Sequence, residues 1–122
     1  MVTLSSAAAD RHPLQLAYFL ARAAYEVALE ELGRRCRAEG IDTRDDDAAF
    51  DREEEICGEL KTRQLFQAQQ SAEDAVIRWS VEKSRALATP AQSKMLDELL
   101  ELSPRHPSIR AKMLDAALRL RA

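Results

Sequence analysis

The stretch from Leu14 to Leu29, LQLAYFLARAAYEVAL, limits what this chain can become more than any other. Thirteen of its sixteen residues are apolar, and only Gln15, Arg22 and Glu26 interrupt them. On a helix of about 3.6 residues per turn, side chains seven and four apart fall on one narrow stripe, so these three share it. The rest of the circumference is Leu, Ala, Phe, Tyr or Val. An ordinary surface helix is apolar over roughly a third of its circumference; one apolar nearly all round has to be covered on several sides. The stretch therefore reads as the central helix of a bundle, with the remaining segments as its cover.

The rest of the chain suits that reading. Across 122 residues, 32% are charged, Gly occurs only three times, and Ala, Leu, Arg and Glu predominate. Those are good helix formers, and no segment alternates β-branched or aromatic residues with polar ones as a strand does. The expected class is all-α, in a single helical domain over 1–122. The first helix is expected over 10–39, after a loose segment 1–9. Asp10 stands at the N-cap position, Pro13 in the first turn and Gly40 as the stop. A second helix is expected over 45–88, started by Asp45, Asp46 and Asp47 at its positive end. Its apolar spacing slips between Leu60 and Leu65, and Ser71 with Asp74 resembles a capping box. No Gly or Pro marks a turn near residue 70, which favours one continuous helix over the alternative of a break there.

Thr89-Pro90-Ala91-Gln92 is the clearest local signal: an N-cap, a proline at the first helical position and a glutamine at the third. It opens a helix over 89–102. Ser103-Pro104-Arg105-His106-Pro107 makes a turn, and a last helix follows over 107–121. Lys94–Leu102 and Lys112–Leu120 agree at six of nine positions; two short amphipathic helices with the same task account for the likeness, and a duplicated half-hairpin is the alternative. Residues 39–59 carry ten acidic and two basic side chains, whereas 103–122 carry five basic and one acidic. Pairing of the last two helices would set an acidic face beside a basic one. The expected architecture is two long antiparallel helices and a short C-terminal helical hairpin, a bundle completed by dimerisation. Two amphipathic helices and a hairpin leave part of the first helix uncovered, so Leu16, Phe19, Leu20, Ala24 and Val27 are the expected interface.

Chemistry-bearing motifs are scarce. The acidic block offers Glu54, Glu55 and Glu59, with Glu73 and Asp74 further on, as candidate ligands for a divalent metal. Mg²⁺ requires carboxylates that converge, and Glu55 and Glu59 stand four apart while Glu73 and Asp74 are adjacent. A calcium loop over residues 42–53 fails because Arg44 replaces a ligand and Asp47 the glycine. His12, His106, Cys36 and Cys57 lack metal-site spacing, and no phosphate-binding glycine loop or nucleophile motif occurs. No cofactor is expected. Arg105, Arg110, Lys112 and Arg119 form a basic cluster that could serve nucleic acid. The net charge of −3 and the acidic block argue against it. Tyr18, Phe19, Tyr25, Phe50, Phe66 and Trp79 are spaced as packing positions.

The N-terminal MVTLSSAAAD lacks the basic and apolar regions of a signal peptide, and the Leu14–Leu29 run is too short for a span of about 20 residues. A cytoplasmic, soluble protein is expected, with two cysteines rather than a disulfide framework. The favoured function is a non-enzymatic helical interaction or scaffold protein working as a homodimer, with a further protein partner possible in principle. A divalent-metal-dependent enzyme with carboxylates on the second helix is the alternative, and DNA binding by the C-terminal hairpin the third.

Overall fold

Thr89 and Gln92 illustrate how closely the local sequence dictates this structure. In the computed structural model, which describes residues 11–42 and 46–121, the Thr89 hydroxyl accepts the Gln92 N–H, and the Gln92 side chain accepts the Thr89 N–H in return. This box satisfies two amides that a helix start leaves without partners. Five α-helices are present among the described residues, with no strand: α1 Pro13–Glu39, α2 Asp47–Leu60, α3 Thr62–Arg85, α4 Pro90–Leu102 and α5 Pro107–Arg119. A single 3₁₀ turn, Ser103–Arg105, joins the last two.

The ends of α1 follow from sequence as well. His12 caps it: the ring Nδ1 accepts the Leu14 N–H at 3.1 Å, while Gln15 Oε1 accepts the His12 N–H at 2.8 Å. The imidazole thus takes the place of the usual hydroxyl or carboxylate. Gly40 stops the helix with φ 66°, and the Gly40 and Ile41 amides donate back to Arg37 and Cys36. That double closure needs a left-handed residue, which glycine adopts without a steric cost. The expected cap Asp10, the segment 1–9 and residues 43–45, including Asp45, lie outside the described residues. Asp46 is the N-cap of α2, its carboxylate accepting the Ala48 N–H at 2.8 Å.

One expectation is corrected. The helix expected over 45–88 is two helices, and the break falls at Lys61, not near residue 70. Lys61 is left-handed at φ 57°, ψ 39°, with its N–H turned back to the Cys57 and Gly58 carbonyls. Leu65 lies five positions after Leu60, so an unbroken helix would rotate one of them about 140° off the other's face. The turn at Lys61 restores the phase, and both leucines are half-buried. Holding a non-glycine residue there costs about 1–2 kcal/mol, less than the burial it permits. Ser71 and Asp74, which resembled a cap, lie inside α3.

The expectation was one undivided domain; the described residues group into two compact units. The first contains residues 11–18 and 71–121. Its core is Tyr18, Val76 and Ala117, with Leu14, Ala72, Trp79, Leu114 and Leu118 packed against it. The His12 ring stacks on Trp79 at 4.5 Å between centroids. Gln15, one of the three polar interruptions of α1, is 0% exposed, whereas Arg22 and Glu26 form a surface pair. The stripe these three share on paper is therefore divided. The Gln15 amide donates to the Ala117 and Leu120 carbonyls, each at 2.8 Å, and Arg11 donates to the Leu118 carbonyl at 2.6 Å. Lys83 donates to the Arg121 carbonyl. These carbonyls, at and just beyond the end of α5, have no partner within that helix and are thereby satisfied by Arg11, by Gln15 of α1 and by Lys83 of α3.

The expected charge pairing of the last two helices is also replaced. Asp97 of α4 pairs with Arg85 of α3, and Arg110 of α5 with Glu73 and Asp74 of α3. Both helices are tied to α3. The repeated nonapeptides serve different ends, since Ala117 is fully buried and its counterpart Leu99 is exposed.

The second unit, Phe19–Gln70, contains the rest of α1, α2 and the first turns of α3. Ile56 and Ala28 are its buried apolar residues, and Tyr25 meets Phe66 at 5.4 Å between ring centroids.

Two outcomes follow from these arrangements. Gln15→Leu strands a buried and a part-buried carbonyl and the His12 amide, so denaturant unfolding should register a loss of about 2–3 kcal/mol. Lys61→Gly relieves the left-handed backbone and should stabilise the protein by about 1 kcal/mol in the same assay.

Candidate functional site

Viewed end-on, α1 presents two apolar lines. Leu14, Tyr18, Ala21, Tyr25, Ala28 and Leu32, at alternating spacings of four and three, are buried or half-buried. On the opposite side Leu20, Ala23, Ala24 and Val27 recur at the same kind of spacing and are exposed, with Leu20 at 72% and Val27 at 64%. Phe19 flanks this second line at 37% exposure. Of the expected interface residues, Phe19, Leu20, Ala24 and Val27 therefore lie together in the second unit, exposed on one helix. Leu16 belongs to the first unit and is half-buried. Ala23 was not singled out from the sequence, although the same spacing includes it.

Arg52 organises the acidic block. Its guanidinium holds Glu39 through two hydrogen bonds, at 2.7 and 3.1 Å, and Glu55 through a third at 3.0 Å. The Glu39 bonds, with Glu55 next, hold the Arg52 guanidinium charged well above its ordinary range, and the same contact holds the Glu39 carboxyl below its own. Glu59 pairs with Arg35 at 2.5 Å. Glu55 and Glu59 are thus turned to arginines, and Glu54 is exposed beside a shallow depression at the α2–α3 junction. In the first unit Glu73 and Asp74 share Arg110, which is mostly buried along with Glu73. Burial works against the Arg110 charge, but the bonds to Asp74 and Glu73 prevail and raise it. No group of three or more His, Cys, Asp or Glu able to hold a metal occurs among the described residues.

The basic candidates are likewise dispersed in role. Arg110 is occupied by its two carboxylates, Arg119 pairs with Asp115, and Arg105 is exposed in the 3₁₀ turn. Lys112 makes no ion pair with any described residue and lines a cavity of the first unit. Such an arrangement does not form the continuous basic stripe that tracks a phosphate backbone. Cys36 and Cys57 are half-buried free thiols; burial and the Glu53 carboxylate push the Cys36 thiol up, away from the reactive thiolate. No described helix is long and apolar enough to cross a membrane.

With this geometry in view, comparison yields no relative. The chain matches no protein-family model, no curated protein and no solved structure.

Among the ion pairs, Arg85–Asp97 has a readable pH signature. Arg85 donates to Asp97 at 2.5 Å and holds its carboxyl below the usual aspartate value. A carboxyl lowered by folding contributes stability above its unfolded pKa and loses it as pH falls through the folded value. Thermal unfolding followed from about pH 5 to pH 2 should therefore show a declining Tm, with Asp97→Asn flattening part of that decline.

Proposed function

We propose that this protein is a non-enzymatic helical interaction module that works as a two-fold homodimer through the exposed line of α1. The observation carrying this reading is an inverted balance in the second unit. Phe19, Leu20, Val27, Leu29, Phe50 and Phe66 are each more than a third exposed there, while Ile56 and Ala28 are the buried apolar residues. Covering one large apolar side chain stabilises a protein by about 1.5–3 kcal/mol, so a surface like this favours a partner.

A second copy is the simplest partner because the line complements itself. In an antiparallel pair centred between Ala23 and Ala24, Leu20 of each copy meets Val27 of the other. The alanines at the centre let the backbones approach, as a two-fold interface requires the same patch on both sides. Arg22, Glu26, Glu30 and Arg34 flank the line and supply the charged rim that fixes orientation. The partner copy would then supply the cover that the exposed line of α1 lacks within one chain. A reducing, cytoplasmic setting suits the two free thiols.

Light scattering across a hundredfold range of concentration tests this. The wild-type should run at twice its 13.7 kDa chain mass, and Leu20→Glu or Ala24→Glu at the single-chain mass with unchanged helical circular dichroism. Fold retention is expected because both positions are exposed in the single chain. A wild-type protein monomeric at every concentration would refute the proposal.

A further inference from the structure

α3 also presents two faces within the first unit. Val76 and Trp79 join the core with Tyr18 and Ala117, whereas Ile77, Ser80, Val81 and Ser84 look into a cavity of about 460 Å³. Its volume falls in the range of roughly 300–1,000 Å³ typical of small-molecule sites. The walls are apolar: Ile77 and Val81 from α3, Leu96 and Leu99 from α4, and Ile109 and Met113 from α5.

Three polar side chains interrupt this lining, and none is spent on the protein. Ser80 and Ser84 stand one helical turn apart, and no hydrogen bond joins either hydroxyl to another described residue. Ser80 is a largely buried residue whose hydroxyl stays open to the cavity, while Ser84 and Lys112 are exposed at its rim. Lys112, from α5, is without an ion pair among the described residues, and no carboxylate contributes to the lining. Its neighbours on α5 differ in this respect: Arg110 and Arg119 are both paired with carboxylates. An open apolar groove with an unpaired cation and two hydroxyls at its rim is complementary to an anion bearing an apolar tail.

The geometry points to a binding site for a small amphiphilic carboxylate, its tail between α3, α4 and α5 and its carboxylate on Lys112 and the serine hydroxyls. The site lies wholly within the first unit and is independent of self-association through α1. Lys112 supplies the charge, and Ser80 and Ser84 donate hydrogen bonds to carboxylate oxygens, which accept only. A protonated acid or an alcohol satisfies the walls but not the cation. A quaternary ammonium of equal length meets the cation with a like charge.

The probes are decanoate, decan-1-ol and decyltrimethylammonium, each below its micellar concentration, titrated calorimetrically into the full chain. Decanoate should bind saturably at one per chain, at least tenfold more tightly than decan-1-ol, with the ammonium weakest. Lys112→Gln should erase the preference for decanoate over decan-1-ol without weakening the alcohol, and Lys112→Arg should retain it. Ala116→Phe, which fills the cavity from α5, should abolish binding of both while the helical spectrum persists. With ¹³C-methyl methionine, decanoate should shift the Met113 signal and leave that of Met95, which does not line the cavity. Equal affinity for the three probes, a preference that survives Lys112→Gln, or an unmoved Met113 signal would overturn the assignment. So would Ala116→Phe converting an assembled protein to single chains with no carboxylate bound by the wild-type, since another copy would then be the occupant.

Discussion

The side chain of Gln15 ties the beginning of the first helix to the end of the last. Its carboxamide oxygen accepts the amide that opens α1, and its nitrogen donates to two carbonyls that close α5. A buried amide with unmet hydrogen bonds is costly, and so is a helix end without caps. Here each deficit answers the other. Arg11 and Lys83 extend the same solution to neighbouring carbonyls. The result is a polar knot beside an apolar core, with Tyr18, Val76 and Ala117 packed close to it. Trp79 joins the two: it packs on the core and stacks against the His12 ring that caps α1.

α3 takes the remaining load in that unit. Arg85 reaches Ser93 and Asp97 on α4, while Glu73 and Asp74 receive Arg110 from α5. Exposed ion pairs contribute little individually, but the Arg110 group is mostly buried, and stripping one partner from such a group leaves a desolvated charge. Its value therefore lies in fixing where α5 docks. With α4 and α5 each held to α3, the space between the three helices is lined by apolar side chains and by the few polar groups that have no partner of their own. In the second unit arginines act differently. Arg35 and Arg52 neutralise a carboxylate block that would otherwise repel itself. That turns candidate metal ligands into an ion-pair network, a use of acidic residues that spacing alone could not distinguish from ligation.

The legibility of the chain varied with the range of the interaction. Capping at Thr89, the stop at Gly40 and the acidic start at Asp46 involve residues within a few positions of one another, so they could be read directly. The heptad-like spacing of Leu20, Ala24 and Val27 likewise marked one side of α1, because side-chain direction on a helix is periodic. Ser80 and Ser84 were not singled out. A serine in a helix gives no sign of whether it meets water, a backbone carbonyl or a cavity, and Lys112 looked like one member of a basic cluster.

Composition and periodicity by themselves determined an all-helical chain, the approximate extent of α1, α4 and α5, and an excess of apolar surface on α1. These depend on backbone propensity and on caps, which act locally. The tertiary structure decided where the second long segment breaks, since partial burial of both Leu60 and Leu65 offsets the cost of a left-handed lysine. It decided that Gln15 goes inside while Arg22 and Glu26 stay out, because only the docked end of α5 offers the carbonyls that a buried amide needs. It also decided which arginines meet which carboxylates. Those choices rest on contacts between residues tens of positions apart, and no local pattern encodes the partner.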